Sequence, residues 1–212
     1  MFRPNSPIGQ VLSWVYNLLI LSVLYLVFSL PVFTVGAAAI ALYEGVYAVR
    51  ESREGSIFKD FFEAFRRNFR KGLGMLLFYA VEILLIGGIG GALILVKVPV
   101  WLALLLPLAV VGGTGCWAVA LTGRFEQKLG VTVRNAYLIG IPNLPVTLLL
   151  SLINFGIPAL VWLLPQEFLR WYLFLLLFFC PAGCAFLTAD VVLRVLKKQY
   201  PEQSERDDDN NE

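Results

Sequence analysis

Apolar positions in this chain come in long unbroken runs, not in the stripes of a soluble helix or the alternation of a half-buried strand. No charge interrupts Val11 to Phe33, Pro99 to Gly123 or Ala136 to Pro165. Gly72 to Val96 holds only Glu82, and Trp171 to Leu193 only Asp190. A membrane-crossing helix needs roughly 20 apolar residues. Lipid offers no partner for backbone N–H and C=O groups, so each run must be helical. A β-barrel would show short alternating segments instead. The pattern therefore predicts an all-α, polytopic transmembrane helical bundle.

Thr34 to Val49 is the ambiguous stretch. It is apolar apart from Glu44 but short for a span. Pro31 stops the helix before it, Thr34 is placed to cap a new one, and Gly36 eases a tight turn. A hairpin here gives six spans in three hairpins with the N-terminus inside. Without it the chain has five spans and an outside N-terminus.

The periodicity changes at Ile57. Phe58, Phe61, Phe62, Phe65 and Phe69 recur on one helical face up to Lys71, with Lys59, Asp60, Glu63, Arg66, Arg67 and Arg70 on much of the remainder. This reads as an amphipathic cytoplasmic helix. Either it anchors a loop in the headgroup region, rings buried and cations near anionic lipid, or it docks a partner as a helix in a groove.

Charge placement sets orientation. Arg50, Arg53, Lys59, Arg66, Arg67, Arg70 and Lys71 crowd one connection, Arg124 to Arg134 holds more, and Arg194, Lys197 and Lys198 follow the last run. The alternate connections hold Lys97 and Arg170 alone. Basic loops stay cytoplasmic, so the C-terminus is expected inside. The N-terminal run is too long for a cleaved signal peptide and lacks a small-residue cleavage site, so it is read as retained. Residues 1–200 are expected to form one transmembrane domain. Residues 201–212, with Asp207, Asp208 and Asp209, form a polar acidic tail with nothing to bury, expected to be disordered.

Composition agrees. Hydrophobic residues make up 58% of the 212 residues and charged residues 15%, against about 25% charged in a soluble domain. A net charge of +2 implies no nucleic-acid partner. A weak repeat pairs Leu30-Pro31 and Val35-Gly36 with Leu106-Pro107 and Val111-Gly112. It also pairs Lys59-Asp60 and Asn68 with Arg134-Asn135 and Asn143, as if each hairpin began near a cytoplasmic Asn (Asn5, Asn68, Asn143). Transporters contain such repeats, and so do other membrane folds.

Three carboxylates fall inside apolar runs: Glu82, Glu44 and Asp190. Each costs roughly 2.5–3.5 kcal/mol near the bilayer centre, so each is either a proton or substrate site or a bonded group that fixes helix packing. Glu82 lies deepest. Asp190 stands one turn before Arg194, which an ion pair explains. The glycines of Gly87-Gly88-x-Gly90-Gly91 and Gly112-Gly113-x-Gly115 lack the strand and lysine of a phosphate loop and read as close helix contacts. Pro107, Pro142, Pro145, Pro158 and Pro181 read as kinks. Cys180 and Cys184 share a helical face but have no third ligand, and with Cys116 they read as packing. The chain has no histidine. No Ser/His/Asp set, zinc motif or nucleotide fingerprint is present, so no enzyme, metal or cofactor is expected.

The string Ser29-Leu30-Pro31-Val32-Phe33-Thr34-Val35-Gly36-Ala37-Ala38, with Ala41-Leu42-Tyr43, resembles the N-terminal signature of YesL-like bacterial integral membrane proteins. Phe58-Lys59-Asp60-Phe61-Phe62 with Phe65 and Asn68 resembles their Phe-rich cytoplasmic segment. The specific motifs lie between Ser29 and Asn68; the acidic tail departs from the pattern. The resemblance implies a domain of unknown function in the bacterial cytoplasmic membrane, found beside the ABC permeases and binding proteins of sugar-uptake operons. It implies no catalytic or binding residues. Two functions follow as expectations: an accessory component of a carbohydrate ABC-type uptake system, or a stand-alone small-solute transporter using an intramembrane carboxylate.

Overall fold

A computed structural model describes residues 7–51, 55–95, 100–156 and 166–199, with side chains described for 12–51, 55–89, 104–156 and 179–198. The acidic tail, Asn5 and Pro158 lie outside these residues. Seven helices carry the described part: α1 (Pro7–Ser29), α2 (Val35–Arg50), α3 (Ile57–Leu95), α4 (Val100–Arg124), α5 (Leu129–Gly140), α6 (Leu144–Ser151) and α7 (Gln166–Gln199). Five are long and apolar enough to cross a membrane: α1, α2, α3, α4 and α7. The pair α5–α6 counts as a sixth only if its two parts, bent by 112°, are one span.

The stretch in doubt, Thr34 to Val49, forms the central helix. In α2, 56% of the span is buried, against 11% of the span in α3, and α2 packs on α1, α3, α4 and α7. Its small residues Ala37, Ala38 and Ala41 are fully buried, which lets four helices close around it. The doubt moves instead to Ala136–Pro165, read from sequence as one run. Pro142 sits where α5 and α6 part, Pro145 lies in the first turn of α6, and a π-helical turn (Leu152–Gly156) continues α6. Pro107 and Pro181 stay inside continuous helices.

Other expectations are corrected. Thr34 does not cap α2 with its side chain; its hydroxyl lies 2.6 Å from the carbonyl oxygens of both Phe28 and Pro31, closing the end of α1. Gly36 serves contact rather than the turn: a Cβ there would stand 2.2 Å from the Gly72 carbonyl oxygen, and one on Gly72 would stand 2.2 Å from the Ala37 nitrogen. α2 and α3 thus touch backbone to backbone. Gly113 meets the Thr147 carbonyl in the same way, whereas a Cβ on Gly87 or Gly88 would meet nothing within 4 Å among the described residues, so neither makes a close helix contact there. The amphipathic segment Ile57–Lys71 is not a separate helix. It runs without a break into Gly72–Leu95, a single helix of 39 residues and about 58 Å.

The repeat does not map onto equivalent elements. Pro31 lies at the α1–α2 turn, while Pro107 lies within α4. Asn68 is buried in the first third of α3 and donates to the Ala64 carbonyl at 3.1 Å, while Asn143 marks the α5–α6 break.

Candidate functional site

The three carboxylates that interrupt apolar runs have different partners. Glu44, on α2, is paired with the Arg67 guanidinium of α3, whose Nε also lies 3.5 Å from Glu126 after α4. Asp190, on α7, accepts from Arg194 at 2.7 Å, the local pair expected from spacing, and from Arg50 of α2 at 2.8 Å. Glu51, just past α2, pairs with Arg124 of α4. The C-terminal half of α2 is thereby tied to α3, α4 and α7 through ion pairs. Aromatic rings back the cations: the Arg50 guanidinium lies 4.9 Å from the Phe186 ring centre, and that of Arg124 lies 5.7 Å from Tyr47. A cation over a ring face is held by the ring quadrupole.

Glu82 stands apart from this network. Tyr137 of α5 donates to its Oε2 at 2.6 Å. Its chain neighbours Val81, Ile83 and Leu84 are exposed, as lipid-facing positions are, and neither of the two concavities described below reaches it. Tyr79, one turn earlier, buries a hydroxyl that has no hydrogen-bond partner among the described residues. α5 follows this half of α3, with Leu129 against Gly74 at one end and Tyr137 on Glu82 further along.

The five phenylalanines of the amphipathic face divide. Phe61 is only 1% exposed, and the Phe28 ring of α1 lies tilted 5.6 Å from it and 4.9 Å from Phe65. Phe58 and Phe62 remain 62% and 49% exposed. Beside them lies a concavity of 490 Å³ lined by Phe62, Phe65, Arg66, Arg67, Phe69 and Arg70. A second, of 260 Å³, lies between α2, α3 and α4 and includes Glu44, Tyr47, Asn68, Arg124 and Glu126; Arg67 borders both.

The sequence did not point to the polar ties inside the bundle. Trp117 of α4 donates to the Thr147 hydroxyl at 3.1 Å, which donates to the Gly140 carbonyl at 2.7 Å, so α4 holds both sides of the α5–α6 bend. Asn154, in the π turn, donates to Thr188 of α7 at 2.8 Å. Single hydroxyls and amides inside long apolar runs were the available signal. Cys180 and Cys184 place their sulfurs 3.4 Å apart, and the Cys184 thiol donates to the Ile153 carbonyl, joining α7 to that turn. Among the described residues no three His, Cys, Asp or Glu side chains converge as a metal site.

The chain matches no curated protein and no solved structure. Residues 17–88, from α1 past Glu82 on α3, match the family described as "Protein of unknown function, DUF624".

Proposed function

We propose that this chain is a non-enzymatic accessory component of a carbohydrate ABC-type uptake system in the bacterial cytoplasmic membrane, with its C-terminus inside. The family match over residues 17–88 supports placing it among the YesL-like proteins, from which the carbohydrate setting comes. One observation carries the accessory role: Glu44, Glu82 and Asp190 are each bonded to a side chain of another helix. Carboxylates held in this way fix helix positions. A bundle so cross-linked acts by presenting surfaces to a membrane partner. The test is co-purification of the full chain with the ABC permease encoded beside it. A stable complex in mild detergent is expected; failure to bind any such permease sinks the reading.

One observation favours the second reading, a small-solute transporter. Glu82, Tyr137 and the unpartnered Tyr79 hydroxyl bring polar groups together on apolar helices. Proton-driven solute flux into liposomes, abolished by Glu82→Gln, would replace the accessory role with transport. Absence of flux, or full flux in that variant, removes Glu82 as a coupling group.

A further inference from the structure

We infer that the exposed face of α3 just before Gly72 holds the headgroup of an anionic phospholipid, with Arg66 and Arg70 on its phosphate. The occupant is a lipid of the surrounding leaflet, and the inference is independent of any permease.

The first ground is position. α3 carries charge up to Lys71 and from Gly72 onward holds Glu82 alone. Gly72 to Leu95 spans about 36 Å, enough for a hydrocarbon core of about 30 Å. Arg66 and Arg70 therefore stand within about two helical turns of the apolar boundary, where lipid phosphates lie. Lys71 is at the same level, as is Lys128, whose neighbour Leu129 touches Gly74.

The second ground is charge. Arg66 and Arg70 are exposed, and neither makes an ion pair with any described residue. Glu63, the nearest carboxylate along the helix, pairs with neither. Arg67 between them is engaged by Glu44 and Glu126 and also lines the concavity. Two free guanidiniums side by side repel each other, and a phosphate accepts from both in fork geometry.

The third ground is shape. The 490 Å³ concavity is lined by the rings of Phe62, Phe65 and Phe69 alongside the guanidiniums of Arg66 and Arg70. Phe65 is fixed by Phe28, and Phe69 meets Phe65 edge to face at 5.9 Å between ring centres. Cations and aromatic rings side by side, with the apolar half of α3 beginning at Gly72, match a lipid headgroup whose acyl chains run along that half. An acidic peptide would satisfy the cations but needs no boundary between polar and apolar helix at this level.

The test uses the full chain in mild detergent with equal phosphatidylglycerol and phosphatidylcholine of the same acyl chains, read by native mass spectrometry. Each basic group near anionic lipid favours binding about fivefold, so about a 25-fold preference for phosphatidylglycerol is expected. The double variant Arg66→Gln/Arg70→Gln should bring the two lipids near parity. Arg66→Lys/Arg70→Lys should keep most of the preference, and Arg134→Gln, an exposed cation on α5, should leave it unchanged. Photo-crosslinking of wild-type protein with a headgroup-labelled phosphatidylglycerol should mark the Phe61–Lys71 peptide, a readout that needs no variant to fold. Equal retention of both lipids by wild type, crosslinks only elsewhere, or undiminished preference in a folded double Gln variant overturns the assignment.

Discussion

The two halves of α3 are held in place by different chemistry. From Ile57 to Lys71 the helix is fixed by charge and aromatic rings: Arg67 on Glu44 and Glu126, and Phe61 and Phe65 on Phe28. From Gly72 on, its described contacts are close and nearly all apolar: Gly72 on Gly36, Gly74 on Leu129, Tyr79 near Gly115, with Glu82 on Tyr137 as the polar tie. The difference follows from the solvent on each side of the boundary. Near water, burying rings is favourable and ion pairs fix register. Among lipid tails burial brings no such gain, so association depends on backbone approach and a few hydrogen bonds.

The largest effect is therefore expected where the halves meet. Gly72→Val puts a branched side chain into the Ala37 backbone, which cannot yield as a flexible side chain would. Overpacking of this kind costs about 1–3 kcal/mol or more, and here it parts α3 from the central helix. We expect aggregated or poorly expressed protein by size-exclusion chromatography. Gly87→Ala, whose Cβ would meet nothing within 4 Å among the described residues, should elute and melt as wild type. Equal behaviour of the two variants would mean that the crossing at Gly36 and Gly72 does not hold the fold.

The same division explains what was legible in the sequence. Uninterrupted apolar runs identify the helices, because lipid permits no other backbone. The pair Asp190–Arg194 was readable because it is local. The Arg50–Asp190 pair was not, because nothing in one sequence links residues on two distant helices. The i, i+3, i+4 spacing located the Phe face. It could not separate Phe61, buried under Phe28, from exposed Phe62, because both sit in the same stripe. Breaks were hardest to place. Proline marks the α5–α6 bend at Pro142, yet Pro107 and Pro181 stay within helices, so the residue alone does not decide. Glycine behaved likewise: Gly36 and Gly72, outside any glycine cluster, make the close crossing, while a Cβ on Gly87 or Gly88, in a conspicuous cluster, would meet nothing within 4 Å among the described residues.

The second prediction separates the partners of Asp190. Arg50 is 24% exposed and joins two helices, whereas Arg194 is 79% exposed and lies on the same helix as its partner. Surface pairs contribute about 0–1 kcal/mol and breaking a buried one costs about 3–5 kcal/mol. Arg50→Ala, between these limits, should cost about 2 kcal/mol, and Arg194→Ala about 0.5 kcal/mol or less. Unfolding in mixed micelles reads both. Added salt should narrow the gap, since it screens half-exposed pairs. A larger loss for Arg194→Ala would show that the charged end is held locally and not between helices.

A smaller effect than that of Arg50→Ala belongs to the apolar half and bears on function as well as stability. Hydrogen bonds between membrane helices contribute about 0.6 kcal/mol on average and up to about 1.7 kcal/mol. Tyr137→Phe should cost about 1 kcal/mol, because it leaves the Glu82 carboxyl without its donor. Glu82→Gln keeps an amide oxygen that Tyr137 can still reach, so its cost should be smaller. Glu82→Leu removes the acceptor and should match Tyr137→Phe. In a double-mutant cycle, Tyr137→Phe should add nothing once Glu82 is Leu, because the interaction is already gone. Additive losses would mean that the two residues act separately. In that case Glu82 would no longer count as a tie between α3 and α5, and the accessory reading would lose one of its three supports to the transport reading.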